Sequence, residues 1–325
     1  MASSLEAVHK PVLVEQCLDL LAPAFQTDTT SSPLMVDATL GLGGHTEAAL
    51  KRFPTLSVIG IDRDPSALAL ASDRLEHFGA RFTPYLGTYD EIPEALGGRL
   101  ADGILMDLGV SSMQLDQPER GFSYSKDAPL DMRMNQFEGR TAAELLNEED
   151  EETLAAIIWR YSDERFSRKI AREIVKRREV VPLSTTGELA DIVRDAIPAP
   201  ARRTGGNPAK RTFQAIRIAV NEELSILEEA LPRAFESLRV GGRIVIESYQ
   251  SLEDRLVKRV LKEGEAPEFP PGLPITATQL QVGERLKPLT RKPILASDEE
   301  IEDNPRAASV RLRGAELIAP WRNNG

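Results

Sequence analysis

Leu34-Met35-Val36-Asp37-Ala38-Thr39-Leu40-Gly41-Leu42-Gly43-Gly44-His45 decides the fold. Residues 34–38 are an apolar run carrying one acid, the pattern of a buried strand. A glycine-rich turn follows at 41–44, and 45–53 reads as a helix. Backbone N–H groups at such a turn, where a helix opens, make a close-approach site for an anionic or polar ligand. Outward from this unit the rhythm repeats. Residues 56–61 read as a second strand, 65–78 as a helix with Pro65 in its first turn, 81–86 as a short third strand and 102–106 as a fourth. This alternation predicts an α/β fold with a doubly wound, Rossmann-like parallel sheet.

Between 113 and 211 the rhythm stops. No convincing strand occurs there, while Thr141-x-x-Glu144 and Thr185-x-x-Glu188 are capping boxes that start helices. A long amphipathic helix is expected over 211–238, with Phe213, Ile216, Val220, Leu224 and Leu227 on one face. Val240-Gly241-Gly242-Arg243-Ile244-Val245-Ile246 then turns into a fifth strand, and 308–312 suits a last one. The chain therefore reads as a discontinuous α/β core, 1–112 and 212–325, interrupted by an all-helical insertion, 113–211.

At 325 residues the chain can bury a sizeable core. No apolar run approaches the length of a membrane span, about 18 residues. The first residues, Met1-Ala2-Ser3-Ser4-Leu5-Glu6-Ala7, lack a basic start and an apolar centre, so a cytoplasmic protein is expected. A single Cys17 excludes an internal disulfide and reads as a small core residue; with three His and one Cys, no metal site is expected. The net charge of −11 argues against indiscriminate nucleic-acid binding. Its distribution points the other way. Residues 160–178 hold eight Lys and Arg against three acids, and 202–217 hold five bases and no acid. Two basic runs in one part of the chain favour a polyanion-facing surface.

Strand ends carry the candidate chemistry. A dinucleotide fingerprint would need a third glycine at 46, where Thr46 stands, so that pattern fails. Asp62 ends the second strand, 19 residues beyond Gly43, where an acid can accept from both ribose hydroxyls of a nucleoside. Asp37 ends the first strand and can face an ammonium group. Together with the Gly-Gly strand at 241–246, these features suit S-adenosylmethionine better than NAD. His45 reads as a fixed hydrogen-bonding group beside the cofactor; His9 and His77 read as structural. The run 103–106 ends in Asp107, followed by Leu108-Gly109-Val110-Ser111-Ser112, where a sheet of this kind meets its ligand.

The ordered motifs identify a family. They are His9-Lys10-Pro11-Val12, Asp37 through His45, Asp62-Arg63-Asp64-Pro65, Asp107 through Ser112 and Arg120-Gly121-Phe122-Ser123. Leu130-Asp131-Met132-Arg133-Met134, Phe213-Gln214-Ala215-Ile216-Arg217-Ile218, Ser251-Leu252-Glu253-Asp254-Arg255 and Asn304-Pro305-Arg306 complete them. The chain resembles, over nearly its whole length, the bacterial 16S ribosomal RNA cytosine-N4 methyltransferases (small-subunit methyltransferase H). The resemblance implies an S-adenosylmethionine-dependent core with a helical RNA-recognition insertion. It implies methylation of the N4 amine of one cytidine near the decoding centre of the small ribosomal subunit. By motif, the cofactor contacts fall on Gly43, Gly44, His45, Asp62, Tyr89, Asp107 and Gln114. The chain departs from the family at Asn207-Pro208, often His-Pro, and at Tyr249-Gln250, often Phe-His. Ala307-Ala308 stands where a basic residue is usual.

The expected mechanism works by position and charge. The exocyclic amine is a weak nucleophile, and no side chain here removes its proton outright at neutral pH. In-line alignment of amine, methyl and sulfur, with acceptors around the nitrogen, must supply the rate. Asp107 is the expected positioning and electrostatic residue. The cytidine must be flipped out or already unpaired. Phe122 and Tyr124 are candidates to stack on it, and Arg202, Arg203, Lys210 and Arg211 to hold phosphates. Asp131 and Arg133 are expected to pair and organise their loop. A small-molecule methyltransferase would not need so large an insertion. A non-catalytic RNA-binding factor with a vestigial cofactor site stays open, as does a homodimer.

Overall fold

A computed structural model describes residues 11–26, 32–202, 207–265 and 283–321. The chain divides into two compact units, Met1–Gly109 with Leu224–Gly325, and Val110–Glu223.

The first unit is a seven-stranded sheet with helices. Helix α1 (Val14–Phe25) precedes β1 (Leu34–Asp37), α2 (Gly44–Arg52), β2 (Ser57–Asp62) and α3 (Pro65–Leu75). Strand β3 (Phe82–Leu86), the short α4 (Ile92–Leu96) and β4 (Ala101–Asp107) follow. The strand order is β3-β2-β1-β4-β5-β7-β6, where β5 is Leu238–Ser248, β6 Leu286–Pro288 and β7 Arg311–Leu317. Strands β1 to β5 pair in parallel, whereas β7 runs antiparallel to both β5 and β6. The Rossmann-like α/β core is present, with an antiparallel edge that the pattern 308–312 only grazes. Residues 305–309 form a 3-10 turn opened by Asn304, whose side chain accepts from Arg306 N at 3.2 Å, so β7 starts later than expected.

Alternation along the strands builds the two cores. Val36, Ile104 and Ile246 contribute to one buried cluster, and Met35, Leu105 and Val245 to the other. By the same period of two, Asp37, Asp107 and Glu247 at the strand ends share the face of Met35, Leu105 and Val245. Chain order reverses between β1 and β4, which is where open α/β sheets place their ligands.

The second unit is helical: α5 (Ser112–Asp116), α6 (Ala142–Glu148), α7 (Glu151–Ser162), α8 (Ser167–Arg178), α9 (Thr186–Ala196), α10 (Ala199–Arg202) and α11 (Ala209–Asn221). Both expected capping boxes are formed, at Thr141/Glu144 and Thr185/Glu188. Leu146, Leu154, Ile158, Ile170, Ile174, Leu189, Val193 and Ile216 are fully buried in its core. The long helix expected over 211–238 is two helices. Asn221 donates to Met132 O (2.8 Å) and accepts from Met134 N (2.8 Å), and Glu222 turns left-handed at φ 52°. Helix α12 (Glu223–Glu236) starts afresh beyond that break. The helical unit thus includes α11, whereas the sequence pattern put the return to the core at 212. After β5, the first unit adds α13 (Ser251–Gly264) and α14 (Asp298–Asp303). Among the described residues, no helix is long and apolar enough to cross a membrane.

Candidate cofactor and active site

The turn after β1 is shaped by three contacts. Gly43 takes φ 77°, a left-handed conformation that favours glycine. A Cβ on Gly44 would lie 2.8 Å from Pro11 Cγ, so only glycine lets the N-terminal segment cross the start of α2. No side chain caps α2. Thr46, standing where a dinucleotide fold has glycine, donates its hydroxyl to Asp37 Oδ2 at 2.7 Å. Asp37 Oδ1 accepts from Thr39 N (3.3 Å) and the residue is buried. Asp37 therefore ties turn and helix together, instead of facing an ammonium group as the sequence suggested. Burial pushes its carboxyl above the usual range, against the pull of His45 and the Thr46 hydroxyl.

Asp62 faces the same turn from the end of β2. Its Oδ2 accepts from Gly41 N (2.7 Å) and its Oδ1 from Asp64 N (2.8 Å). Each carboxylate oxygen has a second lone pair, so acceptor capacity remains for a pair of ligand hydroxyls. Burial raises its pKa to about 7, although the two backbone N–H bonds favour the ionised form. Tyr89 begins a 3-10 turn after β3 and is half-buried against the core.

Asp107 ends β4. Its backbone N donates to Thr39 Oγ1 at 2.5 Å, which locks the strand end to the turn after β1. Its side chain is 28 % exposed, with Oδ2 3.9 Å from His45 Nδ1. Its Oδ1 is buried without a hydrogen-bond partner. Burial pushes its carboxyl up, opposed by His45 and by the Tyr249 hydroxyl. His45, expected beside the cofactor, is buried and donates from Nε2 to Val12 O at 2.9 Å. It pins the N-terminal segment and keeps Nδ1 towards Asp107.

Sequence reasoning missed Glu247 and did not place Tyr249 beside Asp107, whereas Cys17 is buried in the core as expected. Glu247 is the register partner of Asp107 on β5 and is fully buried. Its Oε2 lies 3.4 Å from His45 Nε2. Cys17, His45 and Glu247 bring one donor atom each within 4.8 Å of one another, but His45 Nε2 is already engaged by Val12 O. The signal for Glu247 was present: Ile244-Val245-Ile246 ends in an acid, as the runs before Asp37, Asp62 and Asp107 do.

The remaining predicted residues lie in the helical unit. Gln114 is buried and closes a capping box: its N donates to Ser111 Oγ (3.2 Å) and its Oε1 accepts from Ser111 N (3.1 Å). Phe122 is buried, with the Arg120 guanidinium 5.9 Å from its ring centre. Tyr124 meets Phe213 edge-on at 5.6 Å. Both rings have packing partners, and the geometry does not present them as free stacking platforms. Asp131 and Arg133 pair side-on, with bonds of 2.9 and 2.8 Å. Arg202 spends Nε on Ile197 O at 2.7 Å, whereas Lys210 and Arg211 are exposed on the first turn of α11. Arg203 lies outside the described residues. The basic run 160–178 is exposed at Arg160, Arg165, Arg168, Lys169, Arg172, Lys176 and Arg177.

Comparison with known proteins adds a family to this geometry. The model of the MraW methylase family matches residues 6–318. A protein of Beutenbergia cavernae named ribosomal RNA small subunit methyltransferase H is 54% identical over 315 residues, covering 96% of this chain and 93% of that protein. Proteins of the same name from Parafrankia sp. and Mycolicibacterium smegmatis are 52% and 54% identical. They cover 97% and 95% of this chain, and 96% and 84% of their own lengths.

Proposed function

The chain belongs to the MraW methylase family, and on that premise we propose that it methylates the RNA of the small ribosomal subunit. The methyl group goes from S-adenosylmethionine to the N4 amine of a cytidine near the decoding centre. The observation that carries this reading is the likeness to the named relatives across both units, 96% of the chain in the first of them. The first unit alone would suit many methyl acceptors.

The residues present fit the cofactor. Asp62 keeps acceptor capacity for ribose hydroxyls, and Gly43 and Gly44 leave the turn without Cβ atoms. Tyr89 offers an aromatic edge after β3, and Asp107 keeps a partly exposed carboxylate at the end of β4. Gly43, Gly44, Asp62, Tyr89 and Asp107 are therefore the residues of the first unit that we assign to it, and His45 and Gln114 are assigned by motif alone. When bound, S-adenosylmethionine supplies an electrophilic methyl group on a sulfonium.

The protein's own part is to hold the acceptor base. The amine lone pair of cytosine is delocalised into the ring, so reaction needs a nitrogen turned out of conjugation. A carboxylate is an acceptor only, which suits a nucleophile that carries hydrogens. Asp107, partly exposed at the switch point, accepts an N–H of the amine and stabilises the charge growing on nitrogen. The departing proton passes to water. Exposed cations of the helical unit, Lys210 and Arg211 among them, neutralise phosphates, with Arg202 and Arg203 beside them in sequence.

The direct test is transfer of labelled methyl from S-adenosylmethionine to unmethylated small subunits, beside large subunits and naked ribosomal RNA. Label recovered as N4-methylcytidine in small-subunit RNA is the expected result. Absence of label from every RNA, in protein that binds the cofactor, would overturn the assignment.

A further inference from the structure

Three carboxylate oxygens at the end of the central strands are buried without a hydrogen bond of good geometry, Asp107 Oδ1, Glu247 Oε1 and Glu247 Oε2, with the Cys17 thiol the neighbour within reach of Glu247. They belong to two side chains at paired positions of adjacent parallel strands, so both project from the same face of the sheet. Two buried carboxylates within hydrogen-bond reach of each other repel when both are ionised, which favours a proton on one of them. The groups facing Glu247 are Cys17 from α1, His45 from α2, Asp37 from β1, Asp107 from β4, Tyr249 from its own strand and Glu300 from α14. Of these only His45 is basic, and its Nε2–H is directed at Val12 O. A proton between the two acids satisfies two of the orphaned oxygens at once.

We propose that Glu247 and Asp107 share one proton through Asp107 Oδ1, and that Glu247 is thereby a positioning residue for methyl transfer. With Oδ1 held from behind, Oδ2 is the atom left to meet the substrate amine on the partly exposed side. Burial favours Glu247 as the proton's owner, since it is fully buried and its carboxyl is pushed well above the ordinary range. Asp107, nearer to solvent and bonded by the Tyr249 hydroxyl, keeps the negative charge. The catalytic consequence rests on the reading of Asp107 given above; the shared proton does not.

Two measurements test it. Infrared difference spectra of the intact protein should show the carbonyl band of a protonated carboxylic acid at neutral pH, lost in Glu247→Gln. No such band in the wild type at pH 7 would overturn the proposal. Methyl transfer should then separate two variants. Glu247→Gln keeps a neutral hydrogen-bond donor and should retain turnover, whereas Glu247→Leu should lose about 10-fold or more in kcat with KM for RNA unchanged. Wild-type turnover should also fall at alkaline pH, where the shared proton dissociates, and Glu247→Gln should remove that fall. Equal kcat in the Gln and Leu variants, or the same alkaline fall in Glu247→Gln, would overturn the positioning role. The infrared band is read without substrate, so absence of methyl transfer to any RNA would overturn the functional assignment alone.

Discussion

The two units hold their functional groups in opposite ways. In the sheet unit each group is fixed by its place at or beside a strand end: Asp37 and Asp62 accept from main-chain N–H groups, and Asp107 and Glu247 stand at paired positions of adjacent strands with His45 beside both. In the helical unit the assigned cations Lys210 and Arg211 project from a helix whose opposite side is buried. The difference follows from what each must do. Methyl transfer depends on alignment within a fraction of an ångström, and buried strand ends supply it. Holding a phosphate chain depends on charge density, which long exposed side chains supply without fixed geometry.

The contrast predicts a descending series of effects. Asp107→Ala should lose turnover by about 10²–10³-fold while circular dichroism stays native. Wild-type turnover in that variant would move the chemistry out of the sheet unit.

Next comes the pH dependence of cofactor binding. With the Asp62 pKa at about 7, a proton competes for the acceptor positions below that pH. Affinity for S-adenosylmethionine should fall about 10-fold between pH 8 and pH 6, and Asp62→Asn should flatten the profile. The stability linkage has the opposite sense. Asp62 binds its proton more tightly folded than unfolded, so the stability it lends is complete below the unfolded value, near 3.8, and is lost as pH rises through about 7. Calorimetry checks both.

Charge removal in the helical unit should act more mildly. Lys210→Ala with Arg211→Ala should lower the salt slope of RNA binding by about two and leave cofactor affinity unchanged. An unchanged slope would take that turn of α11 out of the interface. The smallest effect belongs to a cap: Thr185→Ala should cost about 1 kcal/mol in denaturant melts, with methyl transfer at 25 °C intact.

The same contrast explains what could be read from the residues. Strand ends are legible because an apolar run closing on an acid is a local pattern, and Asp37, Asp62 and Asp107 all show it. Glu247 shows it too, yet its partnership with Asp107 depends on β5 lying beside β4, a pairing no local window contains. The role of Thr46 was hidden for a related reason: its hydroxyl serves Asp37 across the turn, so it reads from sequence only as a missing glycine. The break at Glu222 was invisible because apolar periodicity runs straight through it. It is imposed by Asn221, which bonds to Met132 and Met134 far back in the chain. Phe122 and Tyr124 read as candidates to stack on the base because a loop pattern does not say what the loop folds against.

Leu108 N reaches Glu247 O at 2.9 Å, so β4 finds its neighbour across the whole of 110–223. During synthesis β1 to β4 emerge first, and the helical unit follows. Until β5 has been made, β4 is an open edge, apolar on both faces, beside a nascent chain that has yet to supply its partner. The strand that carries Asp107 is thus open to wrong pairing while the protein is being born.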